Sequence, residues 1–141
     1  MLRSKAEIYM HFVWSTWGRE PLVTDAIERR LYRCIAAEAV KKGCKILQLN
    51  GMPDHVHLVV KMPTTISVAE LAKQVKGVSS TFGRNVLVPG EFFGWQDRYG
   101  AFSVSRWDVE MICNYVRNQK EHHGGGALRT ELEETEEFAD E

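Results

Sequence analysis

The stretch Met52-Pro53-Asp54-His55-Val56-His57-Leu58-Val59-Val60 constrains this chain more than any other. Pro53 and Asp54 favour a turn, and the mostly β-branched run that follows favours a strand. Side chains alternate between the two faces of a strand, so His55 and His57 project together. Val56, Leu58 and Val60 then project the other way. Two imidazoles side by side on a rigid element can ligate a metal or donate to a phosphate. A strand with two half-exposed histidines satisfies the same short pattern. What the rest of the chain sets opposite the pair decides between them.

The flanking sequence alternates strand and helix signals. Residues 7–16 alternate like a strand, with Ile8, Met10, Phe12 and Trp14 on one face and Tyr9, His11, Val13 and Ser15 on the other. Thr24 or Asp25 caps a helix reaching about Lys42, with Ile27, Leu31, Ile35 and Ala39 inward and Gly43 as its stop. A strand over Lys45–Asn50 forms a hairpin with the histidine strand. Ser67 caps a second helix over Val68–Asn85, apolar at Val68, Leu71, Val75, Val78 and Phe82 and polar at Lys73, Lys76, Ser79, Ser80 and Arg84. Phe92–Gln96 and Tyr99–Val104 read as two short aromatic strands around Asp97-Arg98. Ser105 or Asp108 opens a third helix lasting to about His123, ended by Gly124-Gly125-Gly126. The order predicts an α+β fold: a ferredoxin-like βαββαβ antiparallel sheet, an added strand hairpin and a C-terminal helix. The two histidines face away from the first two helices, and the third helix is available to cover them.

The chain has 141 residues, 44% of them hydrophobic and 26% charged, which is one domain's worth of globular sequence. Its formal charge of −1 hides an asymmetry. Residues 127–141 hold seven acids and one base, so residues 1–126 carry seventeen bases against twelve acids. The expected organisation is a basic domain over 1–126 and a disordered acidic tail over 127–141. Cys34, Cys44 and Cys113 are odd in number and lack metal-ligand spacing, which argues against a disulfide framework or structural zinc and for a reducing cytoplasm. No run of 18 apolar residues and no secretory segment is present, so no membrane role is expected.

On the third helix Tyr115 and Gln119 are four apart and share a face. Set against the histidines, they give two imidazoles, one amide oxygen and one phenol. A divalent cation there could polarise a phosphoryl oxygen and orient a phosphodiester for in-line attack. A phenol of pKa ~10 is a weak nucleophile without such help. Taken singly, Tyr115 fits a core or interface tyrosine and Gln119 a surface amide; the combination carries the signal.

Over nearly all of residues 5–123 the chain resembles the single-tyrosine HUH transposases of bacterial insertion sequences. The resemblance rests on Met52–Val60 as the His-hydrophobic-His strand, on Lys76-Gly77-Val78-Ser79-Ser80, on Trp95–Val104, and on Asn114–His123 as the catalytic-helix signature. It implies that Tyr115 attacks a DNA phosphate, leaving a 5′-phosphotyrosine and a free 3′-hydroxyl. His55, His57 and Gln119 would hold one divalent cation, Mg²⁺ or Mn²⁺, and no nucleotide cofactor would be needed. The implied partners are single-stranded DNA with hairpin ends and a second copy of the chain, the tyrosine helix completing the partner's site in trans.

Within that resemblance Lys73, Lys76, Ser79, Arg84 and Arg98 are candidate DNA-backbone contacts, or else a solvated surface. Trp95, Tyr99 and Phe102 would stack on unpaired bases, or else pack in the core or at a subunit interface. His11 is read as a surface histidine on a strand face that can turn toward the site, Cys113 as a buried small hydrophobe, and His122 and His123 as no part of the ligand set. Two-histidine phosphoesterases need a second His-x-Thr/Ser motif, which is missing. Relaxases and replication initiators usually embed this chemistry in longer chains. A catalytically silent or regulatory single-stranded nucleic-acid-binding relative is the alternative.

Overall fold

The computed structural model describes residues 4–121, so the expectations for His122, His123, the glycine run and the tail over 127–141 lie outside the described residues. The elements are β1 (Ile8–Ser15), a 3₁₀ turn (Trp17–Arg19), α1 (Asp25–Lys41), β2 (Lys45–Met52) and β3 (His55–Met62). There follow α2 (Val68–Phe82), a π turn (Gly83–Leu87), β4 (Gly100–Val104) and α3 (Val109–Arg117). The strands form one four-stranded sheet in the order β2-β3-β1-β4, with every neighbouring pair antiparallel. This is the expected α+β, ferredoxin-like arrangement.

Local chemistry sets the element ends. Ser67 Oγ accepts the Glu70 amide at 3.1 Å and caps α2. Gly43, at φ +91°, takes the left-handed conformation that terminates α1. Gly51 sits in β2 where a Cβ would collide with the His55 carbonyl oxygen, so only glycine lets the hairpin close this tightly.

The period-two reading of β1 and β3 holds in register. Trp14, Phe12 and Met10 stand opposite Val56, Leu58 and Val60. These join Ile27, Leu31, Ile35 and Ala39 of α1 and Leu71, Ala72 and Val75 of α2 in the main core. The other sheet face carries a smaller cluster in which Val59 meets Ile112, Cys113, Tyr115 and Val116 of α3. Cys113 is the buried apolar side chain expected. No described helix is long and apolar enough to cross a membrane.

Three elements differ from expectation. Phe92–Gln96 does not form a strand of the added hairpin; it makes only an isolated bridge between Trp95 and Thr16. Phe93 and Trp95 are drawn into the core beside Trp14, and that anchoring takes precedence over ladder pairing. α2 stops at Phe82 rather than Asn85, because the chain loosens into the π turn where Gly83 lies flat against the Phe93 ring. α3 is shorter than expected: a turn at Asn118 interrupts it, and helical geometry resumes over 119–121.

Candidate active site

Three elements converge on the α3 side of the sheet. The β1–β3 register places Ser15 opposite His55, Val13 opposite His57 and His11 opposite Val59, so both histidines of β3 and His11 of β1 share one face. α3 covers that face. Its end is held by Asn50 of β2, whose amide donates to the Arg117 carbonyl at 2.9 Å. Lys120 Nζ donates to Asn50 Oδ1 at 3.0 Å, the Gly51 carbonyl at 3.0 Å and Glu28 Oε1 at 2.5 Å. These ties seat Tyr115 and Gln119 over the histidines of their own chain.

The resulting cluster is dry. His57 and Gln119 are 0% exposed, His11 1%, His55 2% and Tyr115 4%. The Tyr115 ring meets the His57 ring edge-on, with centroids 6.2 Å apart and planes at 78°. His55 and His57 stand edge to face at 5.1 Å. Two imidazoles, an amide and a phenol are thus brought together as the spacing predicts.

Each imidazole has an orienting neighbour. His55 Nδ1 lies 2.8 Å from Asp54 Oδ1, and the same carboxylate lies 3.2 Å from Arg19 Nη2. A carboxylate only accepts, so the proton of this bond sits on His55 Nδ1 and a neutral ring carries its lone pair on Nε2. The hydrogen bond that His55 donates, with the Arg19 guanidinium beside it, holds the Asp54 carboxyl below the usual carboxylate range. His55 Nε2 lies 3.2 Å from Gln119 Oε1. On the other ring, His57 Nδ1 lies 2.8 Å from His11 Nε2.

The donor set fits a divalent cation. Among the described residues, no cluster of three or more His, Cys, Asp and Glu side chains is arranged to hold a metal ion. A cation here therefore depends on the Gln119 amide oxygen as the third protein donor beside the two imidazoles. A neutral His55 with its proton on Nδ1 turns a lone pair toward the oxygen of Gln119, and two acceptors at 3.2 Å need a proton or a cation between them.

The structure does not bring the candidate DNA contacts to this site. α2 packs on the opposite sheet face, so Lys73, Lys76 and Arg84 lie across the sheet from His55 and His57. Lys73 is exposed and, with Lys76, lines a groove of about 340 Å³ against Trp95, Gln96 and Tyr99. Lys76 is half-buried; its Nζ donates to the Gln96 and Arg98 carbonyls at 2.6 and 3.1 Å and stands 5.7 Å from the Tyr99 ring centre. Burial pushes its ammonium down to about 8. Arg84 is exposed and bonds Ser80 Oγ at 2.7 Å, and Arg98 is exposed at the loop tip.

Ser79 requires a correction. It is fully buried, donating to the Val75 carbonyl at 2.7 Å and accepting from Trp95 Nε1 at 2.9 Å, so it has no face for a phosphate. Trp95 packs in the core, as one of its readings had it. His11 is likewise not on the surface: it is buried, with its Nε2 against His57 Nδ1. Asp54, Asn50 and Lys120 were not singled out from sequence. Only Asp54 left a signal, being a carboxylate next to a candidate ligand.

The ferredoxin-like sheet with α3 laid over its histidine face has counterparts among known proteins. Residues 4–119 match the family of IS200-like transposases, and the chain belongs to that family. It is 22% identical over 127 residues to the ISDra2 transposase TnpA of Deinococcus radiodurans, a match covering 84% of this chain and 91% of that protein. A Deinococcus radiodurans R1 crystal structure described as a transposase aligns with TM-score 0.65 at 23% identity, over 84% of this chain and 98% of that one. A REP-associated tyrosine transposase bound to a REP hairpin aligns with TM-score 0.66 at 15% identity, over 88% and 73% respectively.

Proposed function

We propose that the chain cleaves and rejoins single-stranded DNA at insertion-sequence ends through a 5′-phosphotyrosine intermediate. The observation that carries this reading is the convergence of Tyr115 on His55, His57 and Gln119. In it, Tyr115 Oη attacks a DNA phosphorus; the new O–P bond forms as the bond to the 3′-oxygen breaks. The phenolic proton ends on the departing 3′-oxygen, and the reverse attack by a 3′-hydroxyl rejoins the strand. His55, His57 and Gln119 would hold one Mg²⁺ or Mn²⁺, which when bound would offset negative charge on the attacked phosphoryl oxygens. Asp54 keeps the His55 lone pair on Nε2, and the apolar surround of Val59, Ile112 and Val116 excludes water from the link.

Single-stranded DNA with hairpin ends is the proposed substrate, supported by the hairpin bound to the REP-associated neighbour. Exposed Lys73, Arg84 and Arg98 are its proposed backbone contacts. The same reading has two copies acting together as a homodimer.

One observation favours a second reading, a relative that binds nucleic acid without turnover. Tyr115 is only 4% exposed, so a phosphate reaches it only if covering chain moves. Both readings are tested by incubating the protein with labelled single-stranded DNA bearing its own flanking sequences, with and without Mn²⁺ or Mg²⁺, on a denaturing gel. The proposal expects a metal-dependent, protease-sensitive adduct that Tyr115→Phe abolishes while DNA binding persists. DNA retarded on a native gel with no adduct under either metal selects the binding relative.

A further inference from the structure

Resting on the metal reading of the site, we infer that His11 is a positioning residue: it fixes the tautomer and ring orientation of His57 and so presents His57 Nε2 to the cation. His11 is on β1, diagonal to His57, with Val59 and Phe102 as its direct cross-strand partners. Its Nε2 lies 2.8 Å from His57 Nδ1, and the two rings meet edge to edge in nearly one plane, with centroids 5.0 Å apart and planes at 19°. Both rings are buried, at 1% and 0% exposure.

A hydrogen bond between two imidazole nitrogens holds one proton, which belongs to one ring or the other. If His11 Nε2 carries it, His57 Nδ1 is the acceptor, and a neutral His57 bears its own proton on Nε2, where it blocks a metal. If His57 Nδ1 carries it, His57 Nε2 has the lone pair and His11 is the acceptor. The second arrangement is the one the site requires. It also completes a symmetry in the constellation: Asp54 serves the Nδ1 side of His55 as His11 serves the Nδ1 side of His57. Outer partners of this kind hold a ligand's ring and raise its basicity, and their loss lowers metal affinity roughly 10- to 100-fold. A histidine buried merely to fill the sheet face would need neither the nitrogen contact nor the tautomer.

The test uses the full chain labelled with ¹⁵N-histidine, and Mn²⁺ alone without DNA. Nitrogen shifts are expected to report His57 as the Nδ1–H tautomer; a wild-type protein with His57 as the Nε2–H tautomer overturns the proposal. Mn²⁺ affinity by electron paramagnetic resonance is expected to fall roughly 10- to 100-fold in His11→Phe, which keeps an aromatic ring without nitrogen. His11→Gln sets an amide oxygen where Nε2 was and is expected to recover most of the loss. A folded His11→Phe with wild-type affinity, or a His11→Gln no better than His11→Phe, also overturns it. Should His11→Phe not fold, the tautomer and the glutamine variant decide. Wild-type protein that binds Mn²⁺ no better than His57→Ala instead overturns the metal reading itself, a result separate from the failure of His11 alone.

Discussion

His55 Nε2 lies 3.2 Å from Gln119 Oε1, while Nδ1 of the same ring lies 2.8 Å from Asp54 Oδ1. One imidazole therefore joins a turn residue of β3's approach to the end of the tyrosine helix. With the Nδ1 proton committed to Asp54, the lone pair and the amide oxygen point at a common position. Removing the carboxylate frees the ring to rotate and to take the other tautomer. Asp54→Ala is expected to lower Mn²⁺ affinity roughly 10- to 100-fold, with Asp54→Asn retaining an acceptor and losing less. Isothermal titration with Mn²⁺ checks this, and unchanged affinity in folded Asp54→Ala would remove the residue from the site.

Ser79 and Arg98, both candidate DNA contacts from sequence, are expected to separate cleanly. Ser79→Ala leaves the buried Trp95 Nε1 without the acceptor it has at 2.9 Å, a loss of about 1–3 kcal/mol in unfolding free energy. Its DNA affinity, measured where the variant is folded, should match wild type. Arg98→Ala should leave stability within about 0.5 kcal/mol and reduce the slope of log K against log salt by about 0.7 for a single strand. Denaturant melts and fluorescence anisotropy at several salt concentrations distinguish the two.

The difference between those residues shows what sequence could and could not carry. Where side-chain direction follows from a short period, the reading holds: His55 and His57 share a face, Ile27, Leu31 and Ile35 are buried together, and Tyr115 and Gln119 meet the histidines. Where it depends on distant chain, it does not. Ser79 looked like part of a polar helix face because nothing local reveals that the Trp95 indole closes over it. His11 looked exposed because its burial depends on the pairing of β1 with β3, forty-six residues away, and on α3. The aromatic segment Phe92–Gln96 has strand composition, yet its side chains are spent on the core and its backbone pairs only at one bridge. α3 keeps its register through the turn at Asn118 because Asn50 and Lys120 hold the far end, and neither tie has a sequence signature.

Lys76 should give the fold a pH dependence. Burial lowers its ammonium from the ordinary lysine value to about 8, while the charge of the Asp97 carboxylate opposes the shift. Between about 8 and about 10.5 the unfolded chain holds a proton that the folded chain has released. Stability from this group therefore rises with pH across that window and is lowest below it. Partial exposure screens the gain to about 1 kcal/mol. Wild type should accordingly gain on Lys76→Met between pH 8 and pH 10 in paired thermal melts; a constant difference in Tm would show that the lysine titrates in its ordinary range.

The docking of α3 bears on how two copies would share a site. The resemblance to single-tyrosine transposases implies a tyrosine helix donated in trans, whereas Asn50 and Lys120 tie this helix to its own sheet and bring Tyr115 within a ring contact of its own His57. A mixture of Tyr115→Phe and His57→Ala subunits separates the arrangements. In trans, one site of each mixed dimer recovers an intact tyrosine facing intact histidines; in cis, every site lacks one of the two. With the helix seated as it is, the mixture is expected to form no covalent DNA adduct beyond either variant alone. Adduct recovered in the mixture, traced by mass to the His57→Ala subunit, would place the tyrosine in trans and require the Asn50 and Lys120 ties to break before cleavage. Asn50→Ala would then raise the adduct yield by easing that release, whereas in cis the same change lowers it by loosening Tyr115 over its histidines.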